Sequence, residues 1–136
     1  MAKYTLAASA ARTTGASGTG VLVGGYPRNC LLVLSVTNSD TDAGDTLDVH
    51  VDVSPDGTAW IPVAHFAQQA GNGAAKTEIA VLSQANPGTS TVAVTSDAAA
   101  GAVRPSVWGK YMRARWAIAD SGDGNSSHTF SVDAYC

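Results

Sequence analysis

Eight consecutive residues, Thr46 to Val53, read TLDVHVDV and alternate without a break between apolar and polar side chains. A period of two belongs to an extended chain, so Leu47, Val49, Val51 and Val53 face one way and Asp48, His50 and Asp52 the other. The next residues, SPDGTAW, put Pro55, Asp56 and Gly57 where a tight reversal needs them and Trp60 at the start of a return strand. Together they predict a β-hairpin.

The same reading extends along the chain. Cys30 to Val36 (CLLVLSV) is apolar on both faces, as in a strand covered on both sides. In Tyr111 to Ile118, Met112, Ala114, Trp116 and Ile118 share a face opposite Tyr111, Arg113 and Arg115. In Thr129 to Tyr135, Phe130, Val132 and Ala134 lie opposite Ser131, Asp133 and Tyr135. Lys3 to Ala8, Ile61 to Phe66, Thr77 to Leu82 and Thr91 to Thr95 are further strand candidates. No window carries a helical apolar stripe, and the alanine clusters at Ala74–Ala75 and Ala98–Ala100 are too short to nucleate a helix. The expected fold is all-β: one antiparallel β-sandwich domain, jelly-roll-like, over residues 21–136. Residues 1–20 are expected to form a first strand and a flexible arm, because Ser9 to Gly20 (SAARTTGASGTG) offers almost nothing to bury.

Charge narrows the function. Only 14% of the 136 residues are charged, against about 25% in ordinary soluble domains. Such a surface is either covered by partners or simply built from small residues. The net charge of −3 and the scatter of the eight Lys and Arg exclude nucleic acid as the expected partner. The opening MAKYTLAASA does not read as a signal peptide, and no stretch approaches the ~18 apolar residues of a membrane helix. Synthesis in a host cytoplasm is therefore expected, with no membrane partner. A reducing compartment in turn predicts that Cys30 and Cys136 are free thiols.

Candidate chemistry is sparse. Asp48, His50 and Asp52 project side by side from one strand and have the donor types of a divalent-metal site. The simpler reading makes them the solvent face of that strand, or pairs them with Arg113 and Arg115 across neighbouring strands. Two loops look faintly calcium-like: Asp40, Asp42 and Asp45 in DTDAGD, and Asp120 and Asp123 in DSGDGN. Neither has the EF-hand spacing or its closing Glu, and turn chemistry accounts for both. GASGTG lacks the second glycine of a nucleophile elbow, and Gly18, Gly20, Gly24 and Gly25 miss the dinucleotide fingerprint. His50, His65 and His128 have no recognisable Cys or Ser partner in the sequence. No enzyme, cofactor or metal is expected.

The stretch LLVLSVTNSDTDAGDTLDVHVDVSPDGTAW, then GKYMRARWAI and a terminal TFSVDAY, resembles a group of small tailed-phage structural proteins. The resemblance spans about Tyr26 to Tyr135. It implies a virion protein, of the type of head decoration proteins that reinforce a capsid, with the major capsid protein or another virion protein as partner. It also implies a homo-oligomer, a trimer before a dimer, located on the capsid surface; neck and tail are the alternative locations. SPDGTAW, KYMRARW and the final Cys also resemble discoidin-type carbohydrate- or lipid-binding jelly rolls. That family's opening segment is missing here, and Cys30 does not stand at the start of the domain. The residues expected to meet a partner are Arg12, Thr13, Thr14 and Ser17 on the arm, Leu31 and Val33 on the second face of their strand, and Trp108.

Overall fold

The computed structural model describes residues 1–24, 29–39, 42–85, 96–104 and 109–136. Its strands are β1 (Lys3–Arg12), β2 (Ala16–Ser17), β3 (Val21–Leu22), β4 (Asn29–Ser39), β5 (Thr46–Ser54) and β6 (Ile61–His65). They continue with β7 (Gln69–Ala70), β8 (Lys76–Ser83), β9 (Ala102–Val103), β10 (Tyr111–Ala119) and β11 (His128–Tyr135). One sheet has the order β1-β11-β4-β8. The other runs β2-β10-β5-β6-β9, with β3 beside β10 and β7 beside β5. Every pairing is antiparallel. The architecture is the expected β-sandwich. The candidate strand Thr91 to Thr95 lies outside the described residues.

Alternation decides which face is buried. In the four-stranded sheet, Leu32, Leu34 and Val36 of β4 sit opposite Ala134, Val132 and Phe130 of β11. In the other sheet, Val49, Val51 and Val53 of β5 sit opposite Trp116, Ala114 and Met112 of β10. These rows pack against each other with Leu6, Val23, Leu47, Val63, Phe66 and Leu82 to form one core. Burying each large aliphatic or aromatic side chain contributes about 1.5–3 kcal/mol, so the core is the main stabilising term. The hairpin is closed by Asp56, whose Oδ1 accepts N–H bonds from Thr58 (2.8 Å) and Ala59 (2.9 Å). Those donors hold its carboxyl well below the usual range.

Two expectations are overturned. The segment from Ser9 to Gly20 is not a free arm. Through Arg12 it continues β1 along β11, with Ala10 opposite Phe130 and Arg12 opposite His128. It then crosses to the other sheet, where Ala16 and Ser17 pair with Trp116 and Arg115. Its small residues permit this path rather than freeing it. A Cβ on Gly18 would stand 2.9 Å from the Leu6 carbonyl oxygen, and one on Gly20 would stand 2.7 Å from the Trp60 ring. Poverty of side chains here signals close backbone approach, which composition alone cannot distinguish from flexibility.

The second correction concerns the thiols: Cys30 and Cys136 are joined in a disulfide. Tyr135 lies opposite Leu31 in the β11–β4 register, so the next position outward sets Cys136 against Cys30. Their Cα atoms are 4.3 Å apart, close to the ~4.5 Å of a narrow cross-strand pair, where side chains approach most closely. An argument from cellular compartment has no access to this register.

Candidate functional site

The outer face of the four-stranded sheet carries exposed apolar side chains and is a candidate surface for a partner. Its rows follow from the register: Lys3–Tyr135–Leu31–Val81, then Thr5–Asp133–Val33–Ile79, then Ser131–Ser35–Thr77. Polarity is graded across them. On the β1 side, Lys3 Nζ pairs with Asp133 at 3.1 Å and Thr5 Oγ1 donates to the same carboxylate at 2.9 Å. Towards β8 the first two rows become apolar, while the third stays polar. Ile79 is 63% exposed and Val81 55%, beside half-buried Leu31 and Val33. Among the described residues β8 is the edge strand, and it borders the same patch.

Leu31 and Val33 thus stand where the sequence puts them, on the second face of β4. Ile79 and Val81 were not anticipated. In TEIAVL the two faces carry Thr77, Ile79 and Val81 against Glu78, Ala80 and Leu82, and hydrophobicity would turn the first set inward. The opposite occurs because Glu78 works at the sandwich rim. Its Oε1 accepts the Ala67 N–H at 2.8 Å, and its Oε2 pairs with Lys76 at 2.9 Å. With Glu78 held there and Leu82 buried in the core, alternation turns Ile79 and Val81 to solvent.

The outer face of the other sheet is the opposite in character: polar, with its carboxylates and arginines engaged with one another, though His50 Nδ1 is buried without a hydrogen bond. Asp52, only 1% exposed, accepts from Arg113 Nε at 3.0 Å and from Arg115 Nε and Nη2 at 3.2 Å. Arg115 also bonds Asp97 at 2.5 Å, and the Arg113 guanidinium lies 4.4 Å from the Trp60 ring centre. His50 and His65 stack with ring centres 4.0 Å apart. Asp48 holds His65 Nε2 at 2.9 Å and accepts from Gln68 Nε2 at 2.8 Å. Residues 96–104 lie over this layer: Arg104 N donates to Val63 O at 2.8 Å, and its guanidinium reaches Pro62 O and Asp97 O. Burial first, then the charges of His65 and Arg115, push His50 below the ordinary histidine value.

Asp48, His50 and Asp52 are therefore a ladder as the sequence suggests, but not a solvent face. Asp52 is occupied by the two arginines, and Asp48 by His65 and Gln68, so the cross-strand pairing displaces the metal reading. The histidines have partners that lay hidden in the sequence: Asp48 for His65, and Ser39 for His128, whose Nδ1 stands 3.2 Å from Ser39 Oγ. Gln69 Nε2 donates to that same hydroxyl at 3.2 Å.

The remaining partner-facing candidates are dispersed. Arg12 turns inward over the core edge. Its guanidinium lies 4.6 Å from the Trp116 ring and 4.4 Å from the Phe130 ring, and donates to the carbonyls of Ala8, Ala10 and Phe130. Thr13, Thr14 and Ser17 are exposed, and the Thr14 carbonyl accepts from Trp116 Nε1 at 3.1 Å. Trp108 lies outside the described residues. Comparison of the chain with protein-family models, with curated proteins and with solved structures gives no match.

Proposed function

We propose that this chain is a virion structural protein of the capsid-decoration type, which attaches through the outer face of its four-stranded sheet. The observation that carries the reading is the uncharged patch of Ile79, Val81, Leu31 and Val33 beside the β8 edge. A surface that gains by losing water, bordered by a strand that stands at the sheet edge among the described residues, suits attachment by contact alone. The opposite face, by contrast, has its charges engaged within the chain. Residues 10–12 and 16–17 are paired within the sandwich, so the sheet face replaces the arm as the expected contact. The disulfide fits work outside a reducing cytosol, as in a released particle. Repetition over a symmetric lattice would strengthen modest individual contacts. The phage resemblance adds a homo-oligomer, with a trimer expected, which analytical ultracentrifugation measures.

The test mixes purified chain with capsids assembled without it and reads the bound fraction and the particles' resistance to heat. Wild type should bind and protect, Ile79→Lys/Val81→Lys should not, and Thr13→Lys on the seated segment should behave as wild type. Failure of wild type to bind overturns the decoration reading. Saturable glycan binding by the isolated chain would favour the carbohydrate-binding alternative, which the disulfide also suits.

A further inference from the structure

The two acidic loops that read as turns in the sequence meet at one end of the sandwich. The β4–β5 loop brings Asp42 and Asp45, and the β10–β11 loop brings Asp123; Asp40 lies outside the described residues. One carboxylate oxygen from each of Asp42, Asp45 and Asp123 lies within 4.8 Å of those from the other two. Oxygens sharing one calcium ion at about 2.4 Å are at most about 4.8 Å apart, so all three fit a single coordination shell.

Acidic clusters are common on surfaces, but Asp45 is not on the surface. It is 0% exposed; its Oδ1 accepts the Ser121 N–H at 2.6 Å, while its Oδ2 is buried without a hydrogen-bond partner. A buried carboxylate oxygen lacking a donor is costly unless a cation meets it. No ion pair among the described residues involves Asp45 or Asp123. Backbone hydrogen bonds hold Asp42 and Asp45 in place. Gly44 N donates to Asp42 Oδ1 at 2.9 Å, and Gly71 N donates to the Asp45 carbonyl at 2.8 Å. Asp120 shapes the second loop by accepting from Gly122 N and Gly124 N.

We infer that Asp42, Asp45 and Asp123 form a calcium site that joins the β4–β5 and β10–β11 loops. The donors are all hard oxygens, which favours calcium or magnesium over zinc. Two irregular loops suit the variable six-to-eight-fold shell of calcium better than the strict octahedron of magnesium. The ion would clamp one sheet to the other, since each loop crosses between them, at the end of β4 and β11 opposite the Cys30–Cys136 bond. This inference is independent of the attachment reading.

The experiment titrates calcium chloride into the EDTA-treated full chain by calorimetry and follows thermal unfolding in parallel, with magnesium chloride as comparison. One calcium per chain is expected, with a Kd of about 10⁻⁴ M and a Tm several degrees higher at about 10 mM calcium. Asp123→Ala, at an exposed position, should melt as wild type in EDTA and bind calcium at least about tenfold more weakly. Asp45→Asn should abolish the calcium response while melting no lower than wild type in EDTA, since it removes an unmatched buried charge. Absence of calcium binding, an equal response to magnesium, or unchanged binding in both variants overturns the inference.

Discussion

Cys30 at the start of β4 and Cys136 just beyond β11 are bonded directly across two neighbouring strands, although 106 positions separate them in sequence. The bond therefore closes nearly the whole chain into a loop. By the chain-entropy account, a loop of that length restricts the unfolded state by about 4–5 kcal/mol, and measured losses on removing such bonds run at about 2–5 kcal/mol. Cys136→Ser should lower unfolding stability by that amount while leaving the β-sheet circular dichroism intact. Intact-mass analysis of denatured, alkylated protein should show no modified thiol until a reductant is added.

Arg12 acts as a clasp between the amino-terminal segment and the core. Arg12→Ala removes hydrogen bonds to three carbonyls and contacts with two rings, and should cost about 2 kcal/mol. Arg12→Lys should recover less than half, because an ammonium cannot lie flat between Trp116 and Phe130. Amide exchange across residues 9–17 should quicken in both variants, which would distinguish a loosened segment from a uniformly weakened fold.

Asp52 has two arginines, so the arginine substitutions should not add. Arg113→Ala leaves Arg115 in place and should cost about 1 kcal/mol. Losing both should cost more than twice the single loss, in the range of about 3–5 kcal/mol for an unpaired buried carboxylate. Chemical denaturation of both single variants and the double variant measures the coupling; simple additivity would mean that solvent reaches Asp52.

His50 predicts an acid weakness. Its folded value is depressed, so below the ordinary value of about 6.5 the unfolded chain takes up a proton that the folded chain resists. Stability from this group is complete above about pH 6.5 and falls as pH drops towards the folded value. His65, Asp48, Arg115 and Asp97 face it, and of these only the two aspartates favour its charged form. The Tm should decline as pH falls below about 6.5, and His50→Gln should flatten that slope. Asp56 and Asp120, held low by backbone donors, act in a separate window below their ordinary 3.8.

Much of the sandwich was legible in the chain because alternation is a local property. In β5, β10 and β11 one face had enough apolar side chains, and the other enough polar ones, to decide inside from outside without a neighbour. β8 was legible as a strand but not in its orientation, since Ile79/Val81 and Ala80/Leu82 are both apolar pairs, and the choice goes with contacts outside the strand: Leu82 enters the core and Glu78 meets Ala67 at the rim. The metal donors were visible as two ordinary turns, 75 residues or more apart, because which loops meet is a matter of strand order.

The sequence alone determined the longer strands, the hairpin at Asp56 and Gly57 and most of the core, since these depend on side-chain period and turn chemistry within a few residues. Only the tertiary structure decided the Cys30–Cys136 bond, the seating of residues 9–20, the burial of Asp52 and the approach of Asp45 to Asp123. Each of these depends on register and packing between segments distant in the chain, and the free energy of such contacts belongs to pairs of residues rather than to either one.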